Sequence, residues 1–431
     1  MMDRNKPSEK FLDNCDNSAQ ERWTKVSLLS FFILSGLGVL LRSKFVFNLP
    51  QIDYVRLLDA HSHFAFAGWV SFSLLVLVNQ FVWKPVGTTA KWISGLLIGL
   101  WVCAIGMGLS FPFELTAQIG KDFSFLFILI TFFTSFYGWR LLNKNKQPFA
   151  VNLLLKTALA CLVLSAAGPI FMGYLFSVKS LNALLYKNAL FTYLHLQYNG
   201  FFSLTILGLF IQWVYPKIKP SQLPLINAFS VVICLSIIPS MFLPYLSASP
   251  NLTFQLIALF GSILLGATFV LFIVVFFRKE GVFSLTSAKF KWFLGISLGS
   301  FAIKTLLQTF SIFKVISDPV FGNRAVIMGF LHLVFLAFVS LFILSFWGEK
   351  GALPNARPFN GITRLGLRGI AFGIVLNELT LGLQGLGNLL IISNAAFPWL
   401  LWGCSILVFL GAGLLSYAIL LAPEEKYETP V

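Results

Sequence analysis

"LLDAHSHFAFAGWVSFSLLVLVNQFVW", residues 57–83, carries an aspartate and two histidines near its start and then no ionisable side chain to its end. An apolar run of this length exceeds the roughly 20 residues a helix needs to cross the hydrocarbon of a bilayer. Backbone groups there meet no water, so the segment must satisfy its own hydrogen bonds, which a helix does. Similar runs occupy 25–41, 92–112, 122–142, 153–176, 187–215, 224–245, 254–277, 291–313, 325–347, 365–386 and 396–421, each bounded by Pro, Gly, Asn or charged residues. With 57–83 they make twelve spans, and the expected fold is an all-α integral membrane protein.

Composition agrees. Only 11% of residues are charged and mean hydropathy is +0.84, whereas about a quarter of a soluble domain is charged. The net charge of +15 suggests nucleic acid in a soluble chain, but here it follows the membrane. Counted with the span ends that adjoin them, the tails and the loops after even-numbered spans hold 22 of the 31 Lys and Arg and the loops after odd spans hold 8, while Lys304 lies well inside span nine. Basic residues stay on the cytoplasmic side, so both termini are expected in the cytoplasm and even spans run inward from the outer face. The organisation expected is a polar tail (1–24) without signal-peptide features, a membrane domain (25–421) and a short tail (422–431). No second domain or sequence repeat is apparent. The five cysteines form no CxxC or CxxCH pattern and read as small buried packing residues.

The four histidines are the chemical signal. His61 and His63 lie on span two, His195 on span six ("FTYLHLQYNGFF") and His332 on span ten ("AVIMGFLHLVFLAF"). All fall on even spans about 4 to 8 residues from the outer end, roughly 6 to 12 Å below the boundary. Polar groups at such depth usually mark a site, and neutral imidazole is a common ligand for iron, copper and zinc. Taken singly, each could equally be a structural hydrogen-bonding group. Residues two apart on a helix point about 200° from one another, so His61 and His63 cannot serve one face of one cofactor. Ala65 and Gly68 on the His61 face leave room for a flat macrocycle, which favours His61 and leaves His63 as a neighbour. Arg56 and Arg324, beside the first turns of spans two and ten, are candidates to pair with haem propionates or to act as interfacial anchors.

Twelve spans with histidines on the second, sixth and tenth resemble the large catalytic subunit of the haem-copper oxidase and nitric oxide reductase superfamily, cytochrome oxidase subunit I-like. The topological resemblance covers the whole chain; the sequence resemblance covers three short stretches. "GFLHLVFL" resembles the second half of that family's HxH pattern on span ten, with Phe330 where the first His stands. "HLQYNG" resembles the HLxxEG stretch of nitric oxide reductases, with Asn199 in place of Glu. The resemblance implies one low-spin haem b held by His332 and by His61 or His63, and His195 as a residual ligand of a second metal. The adjacent histidines expected on span seven are missing from "AFSVVICLSIIPSMFLPYL" (residues 228–246). The resemblance therefore implies no intact binuclear centre and no ordinary oxygen or nitric oxide reduction. It points instead to electron transfer from a quinol or cytochrome, or to nitric oxide handling, in a bacterial cytoplasmic membrane with accessory membrane subunits. "HSHFAFAG" also resembles the HxHxxxxG stretch of NnrS-type haem and copper membrane proteins, over one helix.

Other buried polar residues extend the candidate set. Lys304 and Glu378 are expected at similar depth, where pairing with each other or with a cofactor carboxylate would offset their burial. Gln308, four residues after Lys304, and Asn377 could complete that cluster, and Tyr193 and Tyr198 flank His195. The alternative to a haem protein is a haem-free transporter or scaffold in which these groups line a path for substrate or protons.

Overall fold

The structure is a computed structural model that describes residues 9–247, 252–286, 290–317, 323–353, 359–389 and 395–421. Among these there is no strand, and twelve helices are long and apolar enough to cross a bilayer: α1 (Glu21–Ser43), α2 (Tyr54–Trp83), α3 (Gly87–Ser110), α4 (Glu114–Lys144), α5 (Phe149–Ser177), α6 (Ala183–Lys217), α7 (Pro220–Leu246), α8 (Leu252–Leu285), α9 (Lys291–Phe310), α10 (Arg324–Glu349), α11 (Asn360–Gly387) and α12 (Ala396–Leu421). The helix that contains α1 already begins at Glu9, within the polar tail. The tail 422–431 lies outside the described residues.

Three helices occupy the centre. Residues 67–78 of α2, 195–211 of α6 and 337–348 of α10 are buried without interruption. The other nine helices pack around them: α1 against α12 and α2, α3 against α2 and α4, α5 against α4, α6 and α7, α8 against α7 and α9, and α11 between α10 and α12. Each central helix supplies one ring to a three-way aromatic cluster, with Phe66–Phe335 at 4.6 Å, Phe202–Phe335 at 5.7 Å and Phe66–Phe202 at 5.9 Å between centroids. Nearer the other end, Phe346 meets both Phe81 (5.1 Å) and Trp213 (5.6 Å). Lys350 stands over all three of those rings at 5.5 to 5.9 Å, a cation–π cap on the bundle. Partial burial there lowers the pKa of its ammonium.

The three central helices also share one layout, a repeat of geometry with no counterpart in the sequence. Each starts at an Asx cap: Asp53 Oδ1 accepts from the Arg56 N–H (3.0 Å), Asn182 Oδ1 from Leu185 (3.1 Å) and Asn323 Oδ1 from Ala325 (2.9 Å), each satisfying an otherwise orphaned N–H of the first turn. The Asp53 carboxyl is held below its usual range chiefly by that backbone donor. Each helix then stays α-helical through its histidine and widens to a π-helix directly afterwards or within two residues, at Ala65–Ser71, Leu196–Phe202 and Leu333–Ser340. Such widenings are rare and often accompany functional sites.

Candidate functional site

His332 ends the α-helical part of α10, and its Nδ1 donates to the Met328 carbonyl at 2.7 Å. A carbonyl can only accept, so this contact fixes the proton on Nδ1 and leaves the Nε2 lone pair free. A metal-bound histidine is commonly oriented in this way by a backbone carbonyl. His61 lies within electrostatic reach of His332. Its ring rests on α1, where a Cβ at Gly38 would stand 3.4 Å from Cε1, and its buried Nδ1 has no hydrogen-bond partner.

His63 occupies the opposite side of α2. Its Nδ1 donates to the Asp59 carbonyl (2.9 Å) and its ring lies 4.6 Å from that of Phe111. Phe111 in turn lines a cavity of about 320 Å³ at the rim, with Asp53, Arg56, Asp59, Ala117 and Lys121.

The helix segments that carry His61 and His332 are less completely buried than the segments that follow them. None of residues 325–333 of α10 is fully buried, and His61, Ser62, His63, Ala65 and Phe66 of α2 are likewise half-buried, although the two rings are deeply enclosed by protein. This part of α10 has its principal interhelical packing against α11. The segments that follow on both helices, 67–78 and 337–348, are fully buried by contrast.

A third group enters this region from α1. Arg42, within electrostatic reach of both His61 and His332, has a buried Nη2 with no partner. Glu378 of α11 is near it and accepts from Asn377 Nδ2 at 3.0 Å. Arg42 directly follows the apolar run 25–41, so on sequence it reads as a loop charge; no signal in the sequence singles it out. The two arginines expected near a haem edge are occupied elsewhere. Arg324 Nη2 donates to the Tyr54 hydroxyl (2.7 Å), and Arg56 pairs with Glu114 (3.4 Å) and Asp53 (3.9 Å) at the rim.

His195 is in a different position from the ligand expected of it. Its Nε2 donates to the Ile237 carbonyl of α7 (2.8 Å), and its Nδ1 accepts from Asn199 Nδ2 (3.0 Å). The Ile237 carbonyl is available because the end of the α7 helix tightens, with the Met241 N–H bonding Ile238 instead. With both nitrogens engaged, His195 has no lone pair to offer a metal in this arrangement; it seals the end of α7.

Lys304 and Glu378 do not pair either. Lys304 Nζ donates to Ser203 Oγ of α6 (3.3 Å) and lies over the Phe301 ring (4.9 Å), whereas Glu378 belongs to the Arg42 region. Gln308 Nε2 reaches the Tyr198 hydroxyl at 3.5 Å, so Tyr198, Asn199, Lys304 and Gln308 form a cluster of their own beside His195.

Among the described residues no group of three or more His, Cys, Asp or Glu side chains could hold a metal ion. A haem makes a smaller demand, since its macrocycle supplies four ligands and the protein one or two. The residues present fit that demand: an uncommitted Nε2 on His332, a nearby His61 with an orphaned Nδ1, and an Arg42 with a buried, unpartnered Nη2. No protein-family model matches the sequence, and no curated protein matches it significantly.

Proposed function

We propose that this membrane protein carries one low-spin haem b between α2 and α10, with His61 and His332 as axial ligands. In this reading it is a divergent relative of the haem-copper oxidase and nitric oxide reductase large subunit, with both termini cytoplasmic. The observation that carries the proposal is the His332 geometry, in which the Met328 carbonyl holds the ring and leaves the Nε2 lone pair uncommitted, with His61 within electrostatic reach. The bound haem would supply one-electron chemistry, through electron transfer or nitric oxide handling. The chain's own contributions are then distinct. His332 and His61 set the electronic environment of the iron, Gly38 admits the His61 ring, and Arg42 supplies positive charge to a propionate or to the reduced macrocycle. The rim cavity beside His63 offers a place for a quinol or cytochrome donor to approach.

Two features support a degraded second site. His195 is committed to Ile237 and Asn199, and Phe330 stands where the family's second haem ligand would be. The test is an optical spectrum of the dithionite-reduced protein purified from haem-replete cells. The proposal expects a sharp b-type band from one haem per chain, lost in His332→Ala. A colourless preparation would overturn it and favour a haem-free transporter or scaffold.

A further inference from the structure

Lys304 is 3% exposed, and among the described residues no carboxylate lies within ion-pair distance of it. Its hydrogen bond to Ser203 does not account for its charge. Ser203 gives its own proton to the Tyr198 carbonyl (2.6 Å), five residues back across the π segment, and accepts one from Lys304. The same arrangement recurs on α10, where Ser340 donates to the Phe335 carbonyl (2.7 Å) and accepts from the neutral indole of Trp69 (2.8 Å). Bracing a π segment thus requires an N–H and not a cation.

Among the described hydrogen bonds the Lys304 ammonium spends one donor, on Ser203 of α6, and two remain. Gln308 is four residues on, on the same helical face, and the Lys304 ammonium lies 6.0 Å from the centroid of the Tyr198 ring. The Tyr198 hydroxyl accepts from Gln308 and keeps its own proton to donate. Gln308 Nε2 spends one of its two protons on that hydroxyl and keeps the other. Nearby His195 is neutral while its nitrogens are engaged as described, so it supplies no counter-charge. An isolated cation in such surroundings is costly unless something neutralises it.

We propose that Lys304, Gln308 and Tyr198 form an internal binding site for a small monovalent anion, a halide or an oxyanion the size of nitrite. The ammonium supplies the charge, and the phenol and amide supply directional donors. This site is separate from the His61–His332 region.

Thermal unfolding of the full-length protein in detergent tests it, with gluconate exchanged for chloride, bromide or nitrite at constant ionic strength. The expected result is a saturable rise in Tm with at least one of the small anions; comparing chloride with nitrite identifies which is preferred. Lys304→Met should abolish the rise while unfolding no earlier than wild type in gluconate. Gln308→Leu and Tyr198→Phe should each raise the half-saturating concentration several-fold, and they decide the matter if Lys304→Met fails to fold. A wild-type Tm indifferent to the anion, or the same response persisting in Lys304→Met or in both other variants, would overturn the proposal. The readout does not depend on haem, so a colourless protein that responds to chloride would refute the haem reading and leave this one standing.

Discussion

The Nδ1 of His332 donates to the Met328 carbonyl at 2.7 Å, one turn back on the same helix. His195 differs in a way that separates their roles, because its Nε2 is spent on Ile237 of a neighbouring helix and its Nδ1 on Asn199. One imidazole is oriented with a free lone pair; the other is a structural clasp.

Carbon monoxide distinguishes a closed iron from an open one. Two axial imidazoles leave no vacant position, so the reduced wild-type spectrum should not shift under carbon monoxide. His61→Ala should create a vacancy and a strong shift. A large shift in the wild type would mean that a high-spin site survives.

Replacing His195 separates structure from ligation. His195→Ala leaves the Ile237 carbonyl with only its longer contact from Ser240 Oγ (3.3 Å) and the Asn199 Nδ2 group unpaired in a buried region, at a cost of about 1–3 kcal/mol. Thermal unfolding should fall accordingly while haem content and band position stay at wild-type values. Loss of the haem band with unchanged stability would restore His195 as a ligand.

The three-ring contact of Phe66, Phe202 and Phe335 makes the bundle centre sensitive to truncation. Phe66→Ala should destabilise by about 3–5 kcal/mol. Phe133→Ala, at a position 58% exposed on α4, should change stability little. Equal losses in the two variants would remove the central role assigned to the cluster.

Arg42 offers an electrostatic test. A cation close to a haem favours the reduced form, so Arg42→Gln should lower the midpoint potential in a redox titration, and Arg42→Lys should lower it less. An unchanged potential in Arg42→Gln would show that the guanidinium is remote from the haem.

The twelve spans were legible because they rest on length and apolarity, which a linear chain displays directly. The phase of residues two apart likewise separated His61, which rests on α1 at Gly38, from His63, which lies on Phe111. The partners of buried polar groups were not legible. Lys304 met Ser203 in place of Glu378 because helix rotation, not depth alone, decides who faces whom. Arg42 was hidden by its place at the edge of an apolar run, and the π segments that align the three central helices have no residue signature.

The central claim is tested most directly by electron paramagnetic resonance of the oxidised protein and its three histidine variants on α2 and α10. The account predicts a low-spin ferric signal in the wild type and in His63→Ala, and loss of that signal in both His61→Ala and His332→Ala. A signal that survives in His332→Ala, or disappears in His63→Ala while persisting in His61→Ala, would contradict it.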